Sequence, residues 1–368
     1  MKLPSYFKDF LAEIRLTQNQ INDLKKGHKL LRSRLENDEN FSKIIVSTFL
    51  QGSYRRSTAV RPKGDNRSDV DVIVVTKLHK EEFIPSKTLE LFIPFLEKHY
   101  KDKYRIQGRS LGISLSYADL DIVITAAPSE SQEGILENKA VLSDFSIEDF
   151  NDVLLSKSLS FSEEQFLNES RNFFSVDKQE PQWQMEPLYI PDREAEEWQP
   201  TNPLEQIRWT IEKNKKCNGH YISVVKALKW WKKEKYSDAG QPKSYPFEHF
   251  IGDLCPDGIE SVADGVVLTL EKIVKDYSKK PVLNDRGVPE HDVFARVTKD
   301  EYSEFYNQVK EAAIVARSAY DAEDIQSSAA KWNKLFGKKF SVPDPPKTNN
   351  GYTQRTEKSD SVPGGRFA

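Results

Sequence analysis

Gln51-Gly52-Ser53-Tyr54-Arg55-Arg56-Ser57-Thr58-Ala59-Val60-Arg61-Pro62, then a polar loop, then Ser68-Asp69-Val70-Asp71-Val72-Ile73-Val74-Val75, is the stretch that decides how this chain reads. Side chains alternate along a strand, so Asp69 and Asp71 project from one face of an otherwise Val/Ile segment. Side by side they repel each other unless a cation sits between them. Two carboxylates plus substrate phosphates are a common way to hold Mg²⁺. The upstream Gly52-Ser53 turn can bring a backbone N–H and a hydroxyl close to a phosphate, because glycine places no Cβ in the way. A metal-holding strand beside a phosphate-holding turn points to nucleotide chemistry.

Two-metal phosphoryl transfer calls for a further carboxylate near the pair. Tyr117-Ala118-Asp119-Leu120-Asp121-Ile122-Val123-Ile124-Thr125 offers one. Asp121 lies inside the apolar run, where a neighbouring strand sets it beside Asp69 and Asp71. Asp119 shares its face but stands at the strand entrance, a place suited to a turn or cap. Asp121 is therefore the third member, with Asp119 as fallback. An isolated Asp-x-Asp carries little weight; Gly-Ser, Asp-x-Asp and a second acidic Val/Ile strand in this order carry much more.

Outward from this core, residues 4–37 read as one long spine helix, with Phe7, Leu11, Ile14, Ile21, Leu24 and Leu31 at helical spacing. Strands are expected over 44–50, 69–76, 104–106, 113–116 and 120–124, and a helix over 86–99. The segment 179–203 is rich in Gln, Glu and Pro and reads as an irregular crossover. Helical patterns then fill 203–216, 219–235, 246–255, 259–278, 299–319 and 321–336. This order is α+β, with a sheet in the first half and helices in the second. The expected units are a catalytic lobe over 1–200, a helical lobe over 201–342 and a flexible tail over 343–368.

Bulk properties narrow the partners. The chain has 368 residues, 54 basic and 57 acidic, for a net charge of −3. A protein that clamps long nucleic acid is usually basic, so a polymer is not the expected partner. The two cysteines, Cys217 and Cys255, offer no disulfide framework and no metal-ligand spacing. No segment approaches transmembrane length, so no membrane partner is expected, and a soluble, cytoplasmic protein is.

The stretch from Gly52 through Val75 resembles the nucleotidyltransferase core of the polymerase β-like superfamily. More narrowly it resembles the bacterial CD-NTases, relatives of cyclic GMP-AMP synthase and oligoadenylate synthase. The likeness continues in Thr201-Asn202-Pro203, Val224-Val225-Lys226-Ala227-Leu228-Lys229-Trp230-Trp231, Ser244-Tyr245-Pro246-Phe247-Glu248 and Trp332-Asn333-Lys334-Leu335-Phe336-Gly337. It implies a two-lobed fold: a mixed-sheet catalytic lobe, a long N-terminal spine helix and a mostly helical C-terminal lobe. The implied activity is Mg²⁺-dependent synthesis of a cyclic di- or trinucleotide second messenger from nucleoside triphosphates, ATP among them, in anti-phage (CBASS) signalling.

The same resemblance implies roles. Gln51, Gly52 and Ser53 would hold the donor triphosphate. Asp69, Asp71 and Asp121 would hold two Mg²⁺ ions, with Mn²⁺ as the alternative. Lys229 would reach the triphosphate, Ser244 a phosphate, and Tyr245 would stack on a base. A plainer reading stands beside these: Lys229 as the wet face of an amphipathic helix and Tyr245 as packing. Arg55, Arg56 and Arg61 suit phosphate or acceptor contact by charge, and a solvated loop explains them equally well. The ending Gly364-Gly365-Arg366-Phe367-Ala368 looks like those that an operon-encoded ligase conjugates through the last residue, and a regulatory protein is a further implied partner. Other readings are transfer to an RNA end or a small-molecule hydroxyl, and a catalytically inactive nucleotide-sensing scaffold.

Overall fold

The computed structural model describes residues 1–64, 66–128, 187–235 and 240–344. The expected tail beyond residue 344, with its terminal Ala368, and the first part of the expected crossover lie outside the described residues.

The spine is two helices, α1 (Pro4–Ile14) and α2 (Gln18–Glu36), where periodicity alone gave one. The break has a local cause. Thr17 caps α2: its hydroxyl accepts from the Gln20 N–H at 3.2 Å, and the Gln20 side chain accepts from the Thr17 N–H at 2.9 Å. This reciprocal pair satisfies two backbone donors that a helix start leaves open. Thr17→Ala is expected to destabilise the protein by about 1 kcal/mol, measurable as a lower denaturation midpoint at unchanged slope.

The two helices serve different cores. Phe7, Phe10 and Ile14 of α1 pack with Trp332, Phe336 and Phe340 at the far end of the chain. Ile21, Leu24, Leu31 and Leu35 of α2 pack on one face of the sheet. The spine thus joins the sheet to the helical half.

The sheet holds β1 (Ile45–Gln51), β2 (Asp69–Thr76), β3 (Tyr104–Ile106), β4 (Leu111–Ser114) and β5 (Asp119–Thr125), in the spatial order β1-β2-β5-β4-β3. Only β2 and β5 run parallel; the other neighbours are antiparallel. Val70, Val72, Val74, Leu120, Ile122 and Ile124 face the α2 core, while Ile73, Val75 and Val123 join Phe49 and Leu188 on the opposite face. Asp69, Asp71 and Asp121 share the parity of this second face and stand where both strands begin. Helices α4 (Pro85–Leu91) and α5 (Ile93–Tyr100) take the place of the single helix expected over 86–99, the break falling at Phe92 just before Pro94.

The described part of the expected crossover is more regular than its composition suggests. β6 (Leu188–Asp192) and β7 (Glu197–Thr201) form an antiparallel hairpin, with Pro191 opposite Trp198 and Pro200 opposite Tyr189. A two-stranded sheet has only edges, so prolines there cost no central ladder bond. The Trp198 indole N–H anchors the hairpin on the Phe83 carbonyl at 2.9 Å. The helical half follows as α6 (Pro203–Lys216), α7 (Tyr221–Lys235), α8 (Ser244–Leu254), α9 (Val262–Asp276), α10 (Lys299–Tyr320) and α11 (Ile325–Phe336). No helix among the described residues is long and apolar enough to cross a membrane.

Candidate active site

Register builds the site. Antiparallel pairing sets Gln51 opposite Asp71, parallel pairing sets Asp71 opposite Asp121, and β4 sets Gly112 opposite Asp121. One row across the sheet therefore reads Gln51, Asp71, Asp121, Gly112. Asp69 and Asp119 occupy the next row out. Asp119 is engaged by Arg67, whose Nε donates to its Oδ1 at 3.2 Å.

At the end of β1 the chain enters a single helical turn, α3 (Gly52–Arg55), with Gly52 at φ +77°. Two constraints meet at this residue. Only glycine takes that conformation at little cost, and a Cβ built there would sit 1.8 Å from Asp71 Oδ2. The turn carrying Ser53 and the carboxylate of Asp71 are thus in close apposition.

The carboxylates are electrostatically stressed. Asp71 is pushed up to about 7, first by burial and then by the charges of Asp69 and Asp121. Asp121 is pushed up to about 6, by burial and by Asp69, although Gln107 donates to its Oδ1 at 2.9 Å. Among the described residues no group of three or more His, Cys, Asp or Glu side chains is gathered closely enough to enclose a cation. The donors themselves, hard carboxylate oxygens in a row whose ionisation is suppressed by their neighbours, are of the kind that Mg²⁺ and Mn²⁺ accept.

The residues expected from the helical half are dispersed between surface and interior. Ser244 opens α8 and is exposed. Tyr245 is half-buried, its hydroxyl donates to Asp285 Oδ2 at 2.5 Å, and the Arg56 guanidinium lies 5.4 Å from its ring centre. Lys229 does not belong to a wet face: it is 8% exposed, 3.6 Å from Glu248 Oε2, and burial lowers its pKa.

Sequence reasoning missed the charged network around Lys229. Arg56 Nε donates to Glu248 Oε1 at 2.7 Å, and the Thr58 hydroxyl donates to Glu248 Oε2 at 2.7 Å. Arg56 is therefore neither a solvated loop residue nor free for phosphate. Arg61 also leaves the solvated reading, because its Nε donates to the Arg15 carbonyl just past the end of α1 at 3.1 Å. Arg55 is buried, and its Nη1 has no hydrogen-bond partner. Glu248 stood in the quoted motif, but nothing local marks it as the partner of an arginine 192 positions away.

Comparison with known proteins bears on this arrangement. The family described as the Second Messenger Oligonucleotide or Dinucleotide Synthetase domain matches residues 1–131. The chain is 44% identical over 382 residues to a cyclic AMP-AMP-GMP synthase of Enterobacter hormaechei subsp. hoffmannii, covering 100% of both proteins. It is 29% identical over 351 residues to a cyclic AMP-AMP-AMP synthase of an Acinetobacter species, covering 92% of this chain and 86% of that protein. In fold it is similar to Vibrio cholerae DncV, a cyclic AMP-GMP synthase solved with nonhydrolyzable GTP, at TM-score 0.65 and 13% identity, covering 92% of this chain and 97% of that one. It is similar too to Escherichia coli CdnC in complex with a HORMA protein, at TM-score 0.62 and 16% identity, covering 92% and 99%. With full-length identity of this order joined to a sheet that carries Asp69, Asp71 and Asp121 on adjoining rows, with the Gly52-Ser53 turn at the end of β1, the chain belongs to the second-messenger oligonucleotide or dinucleotide synthetases, the bacterial CD-NTases.

Proposed function

We propose that this nucleotidyltransferase joins ATP and GTP into a cyclic trinucleotide of two adenylates and one guanylate. The observation that carries the chemistry is the row Gln51–Asp71–Asp121 with the Gly52-Ser53 turn against it. The choice of product follows the Enterobacter relative, which matches this chain over its whole length. At each step a ribose hydroxyl attacks the α-phosphate of a bound nucleotide and pyrophosphate leaves.

Gln51, Gly52 and Ser53 bind the donor triphosphate through the backbone and hydroxyl of the turn. Asp69, Asp71 and Asp121 hold the divalent cations, two Mg²⁺ or Mn²⁺. Bound there, such ions neutralise the attacking and leaving oxygens. Ser244 and Tyr245, at the start of α8, contact a phosphate and a base. Lys229 serves as a cationic neighbour of the triphosphate. The DncV structure with nonhydrolyzable GTP supports triphosphates as substrates, and the CdnC complex supports a regulatory protein partner. Signalling in anti-phage defence is the role this activity fits.

Incubation of the protein with all four ribonucleoside triphosphates and Mg²⁺, without other acceptor, tests the proposal. The expected product resists phosphatase and has the mass of a cyclic trinucleotide containing adenine and guanine in a 2:1 ratio. A product formed only when an RNA end or a hydroxylated small molecule is added would overturn it in favour of a plain transferase. Absence of turnover beside undisturbed nucleotide binding would favour an inactive scaffold.

A further inference from the structure

Glu248 stands between the two halves of the molecule with more cation around it than one carboxylate can neutralise. It is 3% exposed, and its partners Arg56, Lys229 and Thr58 are 5%, 8% and 0% exposed. Arg56 and Thr58 come from the turn that follows Gly52-Ser53; Lys229 comes from α7 and Glu248 from α8. Burial alone would raise the Glu248 pKa, but Arg56 and then Lys229 pull it down to about 2, so it is ionised. Two buried cations thus share one anion, and the pairing is uneven: 2.7 Å to Arg56, 3.6 Å to Lys229.

The next acids these cations feel are the candidate metal ligands. Arg56 is acted on by Asp71 as well as Glu248, and Lys229 by Asp69 as well as Glu248. The charges alternate along Asp71, Arg56, Glu248, Lys229 and Asp69. A buried cation stripped of its partner is costly to leave alone and will take another acid within reach. For Arg56 that acid is Asp71, which lies against Gly52, the residue whose carbonyl accepts from the Arg56 N–H at 3.1 Å; for Lys229 it is Asp69, the other acid whose charge acts on it.

We propose that Glu248 is a positioning residue that holds Arg56 and Lys229 back from Asp71 and Asp69, so that both carboxylates stay available to a divalent cation. The inference rests on the reading of Asp69, Asp71 and Asp121 as metal ligands. Glu248 touches neither substrate nor metal in this role; it acts through the two cations, and through them it ties the orientation of α8 to the metal site.

The test is a Mn²⁺ titration of the full chain without nucleotide, followed by the electron paramagnetic resonance of free Mn²⁺. Glu248→Gln is expected to weaken Mn²⁺ binding by about tenfold, the lower end of what an outer partner of a metal ligand is worth. Should that variant fail to fold, Arg56→Gln with Glu248→Gln replaces the buried pair by two amides and still frees Lys229, so the same weakening is expected. Adding Lys229→Met to this double variant is expected to return the affinity to within about twofold of wild type, because no displaced cation remains. Wild-type affinity in a folded Glu248→Gln variant, or in the folded double variant, overturns the proposal, as does a lack of recovery with Lys229→Met. The parallel titration of Asp69→Asn with Asp71→Asn separates the two readings. If that variant binds Mn²⁺ as wild type does, the metal assignment itself falls and takes this inference with it.

Discussion

Asp69→Asn together with Asp71→Asn is expected to abolish product while leaving the protein folded, and at alkaline pH more stable than wild type when no metal is present. Loss of an outer-shell partner costs about 10–100-fold in metalloenzymes, so loss of two ligands should exceed about 10³-fold. The stability gain is the more discriminating half. Burial first, then Asp69 and Asp121, raise Asp71 to about 7. A carboxyl whose pKa is raised in the folded state favours folding while protonated. That contribution is complete below the ordinary carboxylate range and disappears as pH climbs through about 7. Metal-free wild type should therefore lose stability between about pH 4 and pH 8, on the order of 2–4 kcal/mol from Asp71. The Asn variant, with no charge to repel, should lose less. Thermal melts of both proteins in chelator at pH 5 and pH 8 check this. A melting temperature that rises by several degrees at pH 8 and by little at pH 5 is the expected pattern. A variant less stable than wild type at both pH values would show that these aspartates are structural.

Gly52→Ala is expected to reduce turnover by about 10²-fold, the scale on which a misplacement near 1 Å acts. The substitution faces a φ of +77° that an L side chain adopts with strain, and its Cβ meets Asp71 Oδ2 at 1.8 Å. Either the carboxylate or the turn must move, and both belong to the site. The loss should fall chiefly on kcat/KM for the triphosphate, with a folded protein by circular dichroism. Unchanged steady-state kinetics would mean that the turn does not contact the donor.

What could be read in advance follows from which interactions are local. The period of two fixed the shared face of Asp69 and Asp71, and the Val/Ile runs located both strands, whereas the row shared by Asp71 and Asp121 is set by the pairing of β2 with β5. The spine break at Thr17 was also written locally, in Thr17-Gln18-Asn19-Gln20, but the apolar spacing of Leu11, Ile14, Ile21 and Leu24 ran across it and masked the cap. The hairpin over Leu188–Thr201 was hidden by its prolines, which are unfavourable in a central strand yet harmless where there are only edges. The plainer reading of Lys229 as a solvated lysine fails because a helical pattern cannot show a buried anion supplied by the next helix. Arg56 and Glu248 meet only because the first sheet and the later helices fold against one another, and neither residue's neighbours in sequence record that contact.

On this proposal the row formed by Asp71 and Asp121, with Asp69 beside it, is where divalent cation and triphosphate meet. Crystals grown with Mn²⁺ and a nonhydrolyzable ATP analogue, measured at the manganese absorption edge, test this most directly. Anomalous peaks bound by Asp69, Asp71 and Asp121, with the triphosphate on the Gly52-Ser53 turn, are the expected result. Manganese and triphosphate bound elsewhere, with these three carboxylates unliganded, would contradict it.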